Sequence, residues 1–117
     1  MPDLPVIDPN AIKSIQALNP EDGGEFLREI VSIYLEDTPL RIAELDQSLA
    51  AGDVPKFARA AHSIKGSSAN LGAAILRVAA ERLETEARRN GLKAVGPLVA
   101  EVKSEFARAA EELRKPF

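Results

Sequence analysis

The sequence predicts an all-α fold: an up-down antiparallel four-helix bundle with a short extra helix at the N-terminus. Apolar residues recur at spacings of three and four along most of the 117-residue chain, which is the pattern of amphipathic helices. Only 4% of the residues are aromatic and none is tryptophan, so the core must consist of Leu, Ile, Val and Ala. Short glycine-containing segments separate the periodic stretches. Each helix can therefore bury its apolar stripe only against the others.

The N-terminal segment is not periodic until a short helix begins. Residues 1–7 hold two prolines, and we expect a tail or linker there, followed by one bundle domain at residues 8–117. Asp8 is the expected helix cap and Pro9 the first helical residue. The apolar face of this helix consists of Ile12, Ile15 and Leu18.

The second apolar stripe runs from Phe26 to Leu49 and has Pro39 near its middle. The ring of an internal proline clashes with the carbonyl group four residues earlier. Two structures remain open, since Thr38 and Pro39 can start a new helix or one long helix can bend there. We favour one bent helix, which ends at Gly52.

The central helix is predicted between Asp53, as its cap, and Gly72, as its end. Its apolar stripe consists of Val54, Phe57, Ala61, Ile64, Ser68 and Leu71. At about 100° per residue, His62 lies roughly 130° from the centre of this stripe. The only histidine of the chain should therefore face water.

Two further helices complete the predicted bundle. The fourth should end at Asn90-Gly91, and we expect its charged residues to be solvated: Glu81, Arg82, Glu84, Glu86, Arg88 and Arg89. The fifth carries Pro97 near its start. Because proline is tolerated only in a first turn, this helix should begin near Lys93 or Ala94.

Small side chains surround the histidine on the predicted surface. Offsets of three, four and seven place Ala58, Lys65, Gly66 and Ala69 on the face of His62. A glycine inside a helix costs about 0.5–1 kcal/mol relative to alanine. Gly66 therefore indicates that another molecule comes close to the helix one turn beyond His62.

An exposed, neutral imidazole has a free ring nitrogen that can act as a nucleophile. The cation of Lys65, one turn away, can neutralise an oxyanion attached to that nitrogen. His62, Lys65 and Gly66 together indicate a phosphoryl-accepting site. An ordinary surface histidine on a bundle helix is the alternative, and the spacing alone favours neither.

The run from His62 to Gly72, HSIKGSSANLG, resembles the signature of histidine-containing phosphotransfer (HPt) domains of phosphorelays. That pattern is approximately H-x-[LIF]-K-G-[SA]-[SAG]-x-x-[LIV]-G, and every specified position is met. The resemblance covers nearly the whole chain in helix order. It implies a phosphocarrier that accepts a phosphoryl group on His62 from the aspartyl phosphate of a response-regulator receiver domain and passes it to another receiver.

The resemblance also implies roles for neighbouring residues. Lys65 would contact the phosphoryl group, and Mg²⁺ would be bound by the receiver, so we expect no cofactor or metal on this chain. Ser68 lies on the core stripe, and the roles of Ser67, Ser68 and Asn70 stay open. We expect partner docking at Ala58, Arg59, Gly66, Ser67, Ala69 and Asn70.

Charge is distributed unevenly in this chain of net charge −3. The segment from Asp53 to Arg77 has one acidic residue and four basic ones, Lys56, Arg59, Lys65 and Arg77, so the remainder carries −6. This patch can steer an acidic partner surface towards His62, although a solvated helix face is the alternative. Nucleic acid is not an expected partner, since the net charge is negative and no recognition motif accompanies the patch.

Several other functions are not expected. One histidine and no cysteine make no familiar zinc site, and without a glycine-rich phosphate loop the chain should not phosphorylate itself from ATP. The residues after His62 also differ from the H-E-[LI]-x-[TN]-P pattern of histidine kinase dimerisation domains. No apolar run approaches the roughly 20 residues that cross a bilayer.

We therefore expect a cytoplasmic monomer whose partners are receivers, including one of a hybrid histidine kinase. A free-standing protein and the C-terminal domain of such a kinase both remain open. The competing function is a helical adaptor that binds a receiver or kinase without carrying phosphate. The intact set of His62, Lys65 and Gly66 argues against that function.

Overall fold

The computed structural model describes residues 4–115, which form five α-helices and no strand. The helices are α1 (Pro9–Leu18), α2 (Glu25–Ala51), α3 (Val54–Asn70), α4 (Ala74–Asn90) and α5 (Gly96–Leu113). The four long helices pack in sequence, and α5 returns to contact α2, so their apolar faces enclose one core. The predicted four-helix bundle with an extra N-terminal helix is confirmed.

Small side chains set how closely α3 and α4 approach. Buried alanines line both helices: Ala58, Ala60 and Ala61 on α3, and Ala79, Ala80 and Ala87 on α4. Larger residues fill the centre of the bundle, among them Phe57, Leu45 and Ile64, each 0% exposed. Because interaxial distance depends on the side chains at the contact, the alanines let a polar residue of α4 reach the surface of α3.

α2 continues through Pro39 as one helix, which confirms the prediction of one helix rather than two. Pro39 is exposed, and its ring therefore displaces no core side chain. The helix ends at Gly52, whose φ of +69° is a conformation that favours glycine. A two-residue connection leads directly into α3, where the Asp53 carboxylate accepts a hydrogen bond from the Lys56 N–H at 3.1 Å.

The predicted start of the last helix was wrong by a few residues. α5 begins at Gly96 rather than near Lys93 or Ala94, since those two residues belong to the turn after α4. Val95 is 0% exposed and anchors the turn to the core, so the helix can start only after it. Pro97 lies in the first turn, as expected.

α1 covers the end of the bundle where α3 meets α4. The N–H of Asp8 donates to the carbonyl oxygen of Gly72 at 2.8 Å. A Cβ atom added to Gly72 would lie 2.6 Å from the Cβ of Ala11, so α1 rests directly on this glycine. Val6 and Ile7, in the segment expected to be a tail or linker, pack against the core. Residues 1–3 of that segment lie outside the described part.

None of the helices at residues 4–115 has the length and apolar character of a membrane-spanning segment.

Candidate functional site

His62 stands in the middle of α3 with 62% of its side chain exposed, which agrees with the expectation that it faces water. Its Nδ1 atom lies 3.0 Å from Oε2 and 3.3 Å from Oε1 of Glu84 on α4. This bond fixes the neutral tautomer with the proton on Nδ1, because a carboxylate only accepts. The lone pair of Nε2 is then available to an incoming electrophile.

Glu84 is only 8% exposed and holds three groups at once. One oxygen accepts from the ammonium of Lys65 at 2.8 Å, and the other accepts from the guanidinium of Arg88 at 3.0 Å and from His62. Burial acts to raise the pKa of Glu84, but hydrogen bonds from Lys65, Arg88 and His62 outweigh it and hold the pKa below the usual value. The carboxylate is therefore charged beside the imidazole.

The expectation that Glu84 is solvated was wrong. It lies four residues after Ala80 and three before Ala87, and both alanines are buried, so all three share one face of α4. That spacing was visible in the sequence and could have identified a carboxylate at the edge of the helix interface. Arg88 is exposed, as expected, but its bond to Glu84 was not predicted.

Lys65 lies on the side of His62 that faces α4, with 26% of its side chain exposed. Its ammonium is bound by Glu84, so in this structure it is connected to the imidazole through one shared carboxylate. A phosphoryl group on Nε2 would add a second anion within the range of its flexible stem. Lys65 is thus held near the reacting nitrogen but not in contact with it.

The surface beside His62 is open. A Cβ atom added to Gly66 meets nothing within 4 Å, and Arg59, Ala69 and Asn70 are exposed. Ala58 differs, because it is 1% exposed and is not available to a partner. α3 packs against both α2 and α4, so its buried arc is wider than the apolar stripe indicates.

The serines of the motif point to different environments. Ser67 is half-buried and donates to the carbonyl oxygen of Ser63 at 3.0 Å. Ser68 is 0% exposed, and its hydroxyl shares a 2.8 Å hydrogen bond with Tyr34 of α2, whose pKa burial raises to about 12. Ser68 therefore joins α3 to α2 inside the core, about 120° around the helix from His62.

Within residues 4–115, no group of three or more His, Cys, Asp or Glu side chains is arranged to hold a metal ion. The structure brings together four functional groups: the imidazole of His62, the carboxylate of Glu84 and the cations of Lys65 and Arg88. Such a set can orient a nucleophile and balance charge on a group attached to it.

Comparisons with known proteins agree with this geometry. A family model described as Hpt domain matches residues 29–113. The multistep phosphorelay regulator 1 of Schizosaccharomyces pombe (strain 972 / ATCC 24843) is 34% identical over 82 residues, which are 70% of this chain and 28% of that protein. The chain thus spans under a third of the length of that relative.

Solved structures show the same fold. Histidine-containing phosphotransfer protein B (HptB) from Pseudomonas aeruginosa PAO1 superposes with a TM-score of 0.85 at 29% identity, over 94% of this chain and 92% of that one. The histidine-containing phosphotransfer protein ZmHP2 from maize has a TM-score of 0.82 at 23% identity, over 93% and 80% of the two chains. At 23% identity, the comparison with ZmHP2 shows a shared fold only.

Proposed function

Because this chain belongs to the Hpt domain family, we propose that it carries phosphoryl groups in a phosphorelay, with His62 as the phosphoacceptor. One observation carries the assignment to this residue. The imidazole is exposed, its Nδ1 atom is engaged by Glu84, and its Nε2 atom faces an open surface. It is also the only histidine of the chain.

The donor and the acceptor are receiver domains. The Nε2 lone pair attacks the phosphorus atom of an aspartyl phosphate, the bond between that phosphorus and the carboxyl oxygen breaks, and the receiver recovers its carboxylate. The imidazole keeps its Nδ1 proton and becomes a cation, which the Glu84 carboxylate stabilises at 3.0 Å. In the second transfer a carboxylate oxygen of the acceptor receiver attacks the phosphorus atom and forms the new O–P bond, while the N–P bond breaks and its electrons return to Nε2.

Positioning and charge neutralisation account for most of the catalysis of such a transfer. This chain supplies the oriented nucleophile and the cation of Lys65, while the receiver supplies Mg²⁺. Its role is that of a phosphocarrier without its own ATP site, since the sequence has no glycine-rich phosphate loop. We further propose that it acts as a cytoplasmic monomer and that one partner is the receiver of a hybrid histidine kinase.

The deciding experiment is incubation with a phosphorylated receiver domain, followed by intact mass measurement of this chain. A gain of one phosphoryl group that is lost in acid supports the proposal. A stable complex without any gain in mass would instead show the adaptor function.

Lys65→Ala should lower transfer efficiency or phosphohistidine lifetime about tenfold or more, because a charge-assisted contact to a phosphoryl group is worth roughly 1.5–3 kcal/mol. Lys65→Arg should keep much of the activity, since charge matters more here than the geometry of the donor. The measurement is the transfer rate and half-life of the phosphorylated form across a salt series. If the alanine variant matches wild type at low salt, Lys65 serves only as a partner of Glu84.

Gly66→Gln should slow transfer while raising helix stability by up to about 1 kcal/mol. The side chain has room in the free protein, since a Cβ at this position meets nothing within 4 Å. It would, however, occupy the space through which a receiver approaches His62. In denaturant unfolding the free energy of unfolding should therefore rise, while the measured rate of phosphoryl transfer should fall. An unchanged transfer rate would show that a side chain at this position does not obstruct the receiver.

Glu84→Gln should slow phosphoryl acceptance about fivefold, because its amide oxygen still accepts from Nδ1 but no longer carries the charge that strengthens the bond. The variant should also be less stable at neutral pH. Since the folded-state pKa of Glu84 is lowered, its stabilising contribution is present above the unfolded pKa of about 4.3 and is lost as pH falls through the folded value.

Urea unfolding of wild type and Glu84→Gln between neutral and acidic pH measures this contribution. The difference in unfolding free energy should narrow as the pH falls below about 4. A difference that stays constant with pH would mean that the charge of Glu84 is not what stabilises the fold.

A further inference from the structure

The two cations that bind Glu84 hold different oxygens of its carboxylate. Lys65 donates to Oε1 at 2.8 Å, whereas Arg88 donates to Oε2 from both Nε and Nη2, each at 3.0 Å. The Nδ1 atom of His62 is closer to Oε2, at 3.0 Å, than to Oε1, at 3.3 Å. The oxygen that binds the imidazole is therefore the oxygen that Arg88 binds.

The two cations also differ in the helix that carries them. Lys65 belongs to α3, three residues after His62, and its ammonium stands at the end of a flexible stem. Arg88 belongs to the last turn of α4, four residues after Glu84. A carboxylate four residues before a cation is the favourable order for a helical pair, and a cation is favoured at a helix C-terminus. The pair of Arg88 and Glu84 is thus supported by α4 itself, independently of Lys65.

A phosphoryl group on Nε2 changes the charge balance around Glu84. Such a group carries a charge of about −1.5 to −2 at neutral pH, so it competes with the carboxylate for the ammonium of Lys65. When Lys65 turns to the phosphoryl group, Glu84 loses one of its two cations while it is only 8% exposed. A buried carboxylate without a cation is costly. Arg88 removes that cost, and it does so at the oxygen bonded to Nδ1.

Building on the proposed phosphotransfer, we propose that Arg88 is a positioning residue for the reaction at His62. It acts through Glu84, because it keeps Oε2 on the Nδ1 proton while Lys65 moves its ammonium from Oε1 to the phosphoryl group. The tautomer with a free Nε2 lone pair is then preserved before transfer, and the positive charge of the imidazole stays balanced after it. Arg88 itself does not contact the phosphoryl group.

The first test reads the tautomer and needs no receiver. Since His62 is the only histidine, a ¹⁵N–¹H correlation spectrum of imidazole groups reports on this one ring. It is recorded well above the ordinary imidazole pKa of about 6.5, where the nitrogen shifts tell which atom carries the proton. Wild type and Lys65→Ala should carry it on Nδ1, because Oε2 keeps its bonds to Arg88 in both. Arg88→Gln should give a mixture of the two tautomers.

Arg89→Gln is the matched control, since it removes the same charge from the next residue of α4, which is also exposed. Its spectrum should match that of wild type. A wild-type spectrum from Arg88→Gln would overturn the proposal. An equal loss of the Nδ1 tautomer in Lys65→Ala or in Arg89→Gln would overturn it too, because the effect would then not belong to the cation on Oε2.

The second test is a double-mutant cycle that separates an action through Glu84 from direct contact with the phosphoryl group. Arg88→Gln should slow phosphoryl acceptance from a phosphorylated receiver about threefold. The same change made in the Glu84→Gln variant should cause no further slowing, because the charged carboxylate through which Arg88 acts is already absent. A threefold loss that persists in the Glu84→Gln background would mean direct contact and would overturn the positioning role.

The two tests also distinguish this proposal from the proposed function. Wild type that gains no phosphate from any receiver would overturn the phosphocarrier function itself. The position of the proton on the His62 ring does not depend on transfer, so the spectra would still decide whether Arg88 sets the tautomer.

Discussion

The His62→Gln variant is expected to gain no acid-labile phosphate from a phosphorylated receiver. Glutamine is polar and uncharged but has no nucleophilic ring nitrogen, and no other histidine exists in the chain to replace it. The fold should not change, because the side chain is 62% exposed and Glu84 keeps its bonds to Lys65 and Arg88. Helicity by circular dichroism should match wild type, and unfolding free energy should differ by less than about 0.5 kcal/mol.

Two outcomes would contradict this expectation in different ways. Acid-labile phosphate on the variant would mean that another residue is the phosphoacceptor. Loss of the folded state would mean that the imidazole is a structural partner of Glu84, and the hydrogen bond at 3.0 Å would then serve the fold rather than the tautomer.

Gly72→Ala should destabilise the fold by about 2–5 kcal/mol. Its φ of +73° costs a non-glycine residue roughly 1–2 kcal/mol, and a new methyl group in a packed site adds about 1–3 kcal/mol. The clash is with Ala11 at 2.6 Å and with the backbone nitrogen of Asp8 at 3.1 Å, so α1 must move away from the α3–α4 connection. Urea unfolding monitored by circular dichroism measures the decrease in the free energy of unfolding relative to wild type.

Gly52→Ala is the matched control, because Gly52 has a similar φ of +69° but a Cβ there meets nothing within 4 Å. Gly52→Ala should lower the free energy of unfolding only by the contribution of the positive φ angle, roughly 1–2 kcal/mol. Equal losses in the two variants would mean that the contact between α1 and Gly72 contributes nothing to stability.

The periodicity of single helices explains why the fold was predictable from the sequence. Every long stripe corresponds to a helix, and the strong pattern on both sides of Pro39 correctly indicated one continuous element. The start of α5 was not predictable in this way, because it depends on Val95 being buried in the preceding turn. A proline restricts where a helix can begin but does not show how many residues the turn before it needs.

The site was predictable only where it depends on one helix. The exposure of His62 and the open space at Gly66 follow from the angular positions of residues on α3. Glu84 is 22 residues away from His62 in the sequence, and the contact between them depends on how closely α4 approaches α3. The periodicity of a single helix does not give that distance. Ala58 was misplaced for a related reason, since its burial needs two neighbouring helices.

The hydrogen bond between Asp8 and Gly72 also fixes where any preceding polypeptide would leave the domain. Gly72 is ten residues beyond His62, a separation of about 15 Å at the rise of an α-helix. A receiver joined upstream of Pro9 would therefore be tethered within a short reach of the imidazole. At such distances a flexible connection gives an effective concentration in the millimolar range, so a covalently attached receiver would exchange phosphoryl groups with His62 ahead of receivers that must diffuse to it.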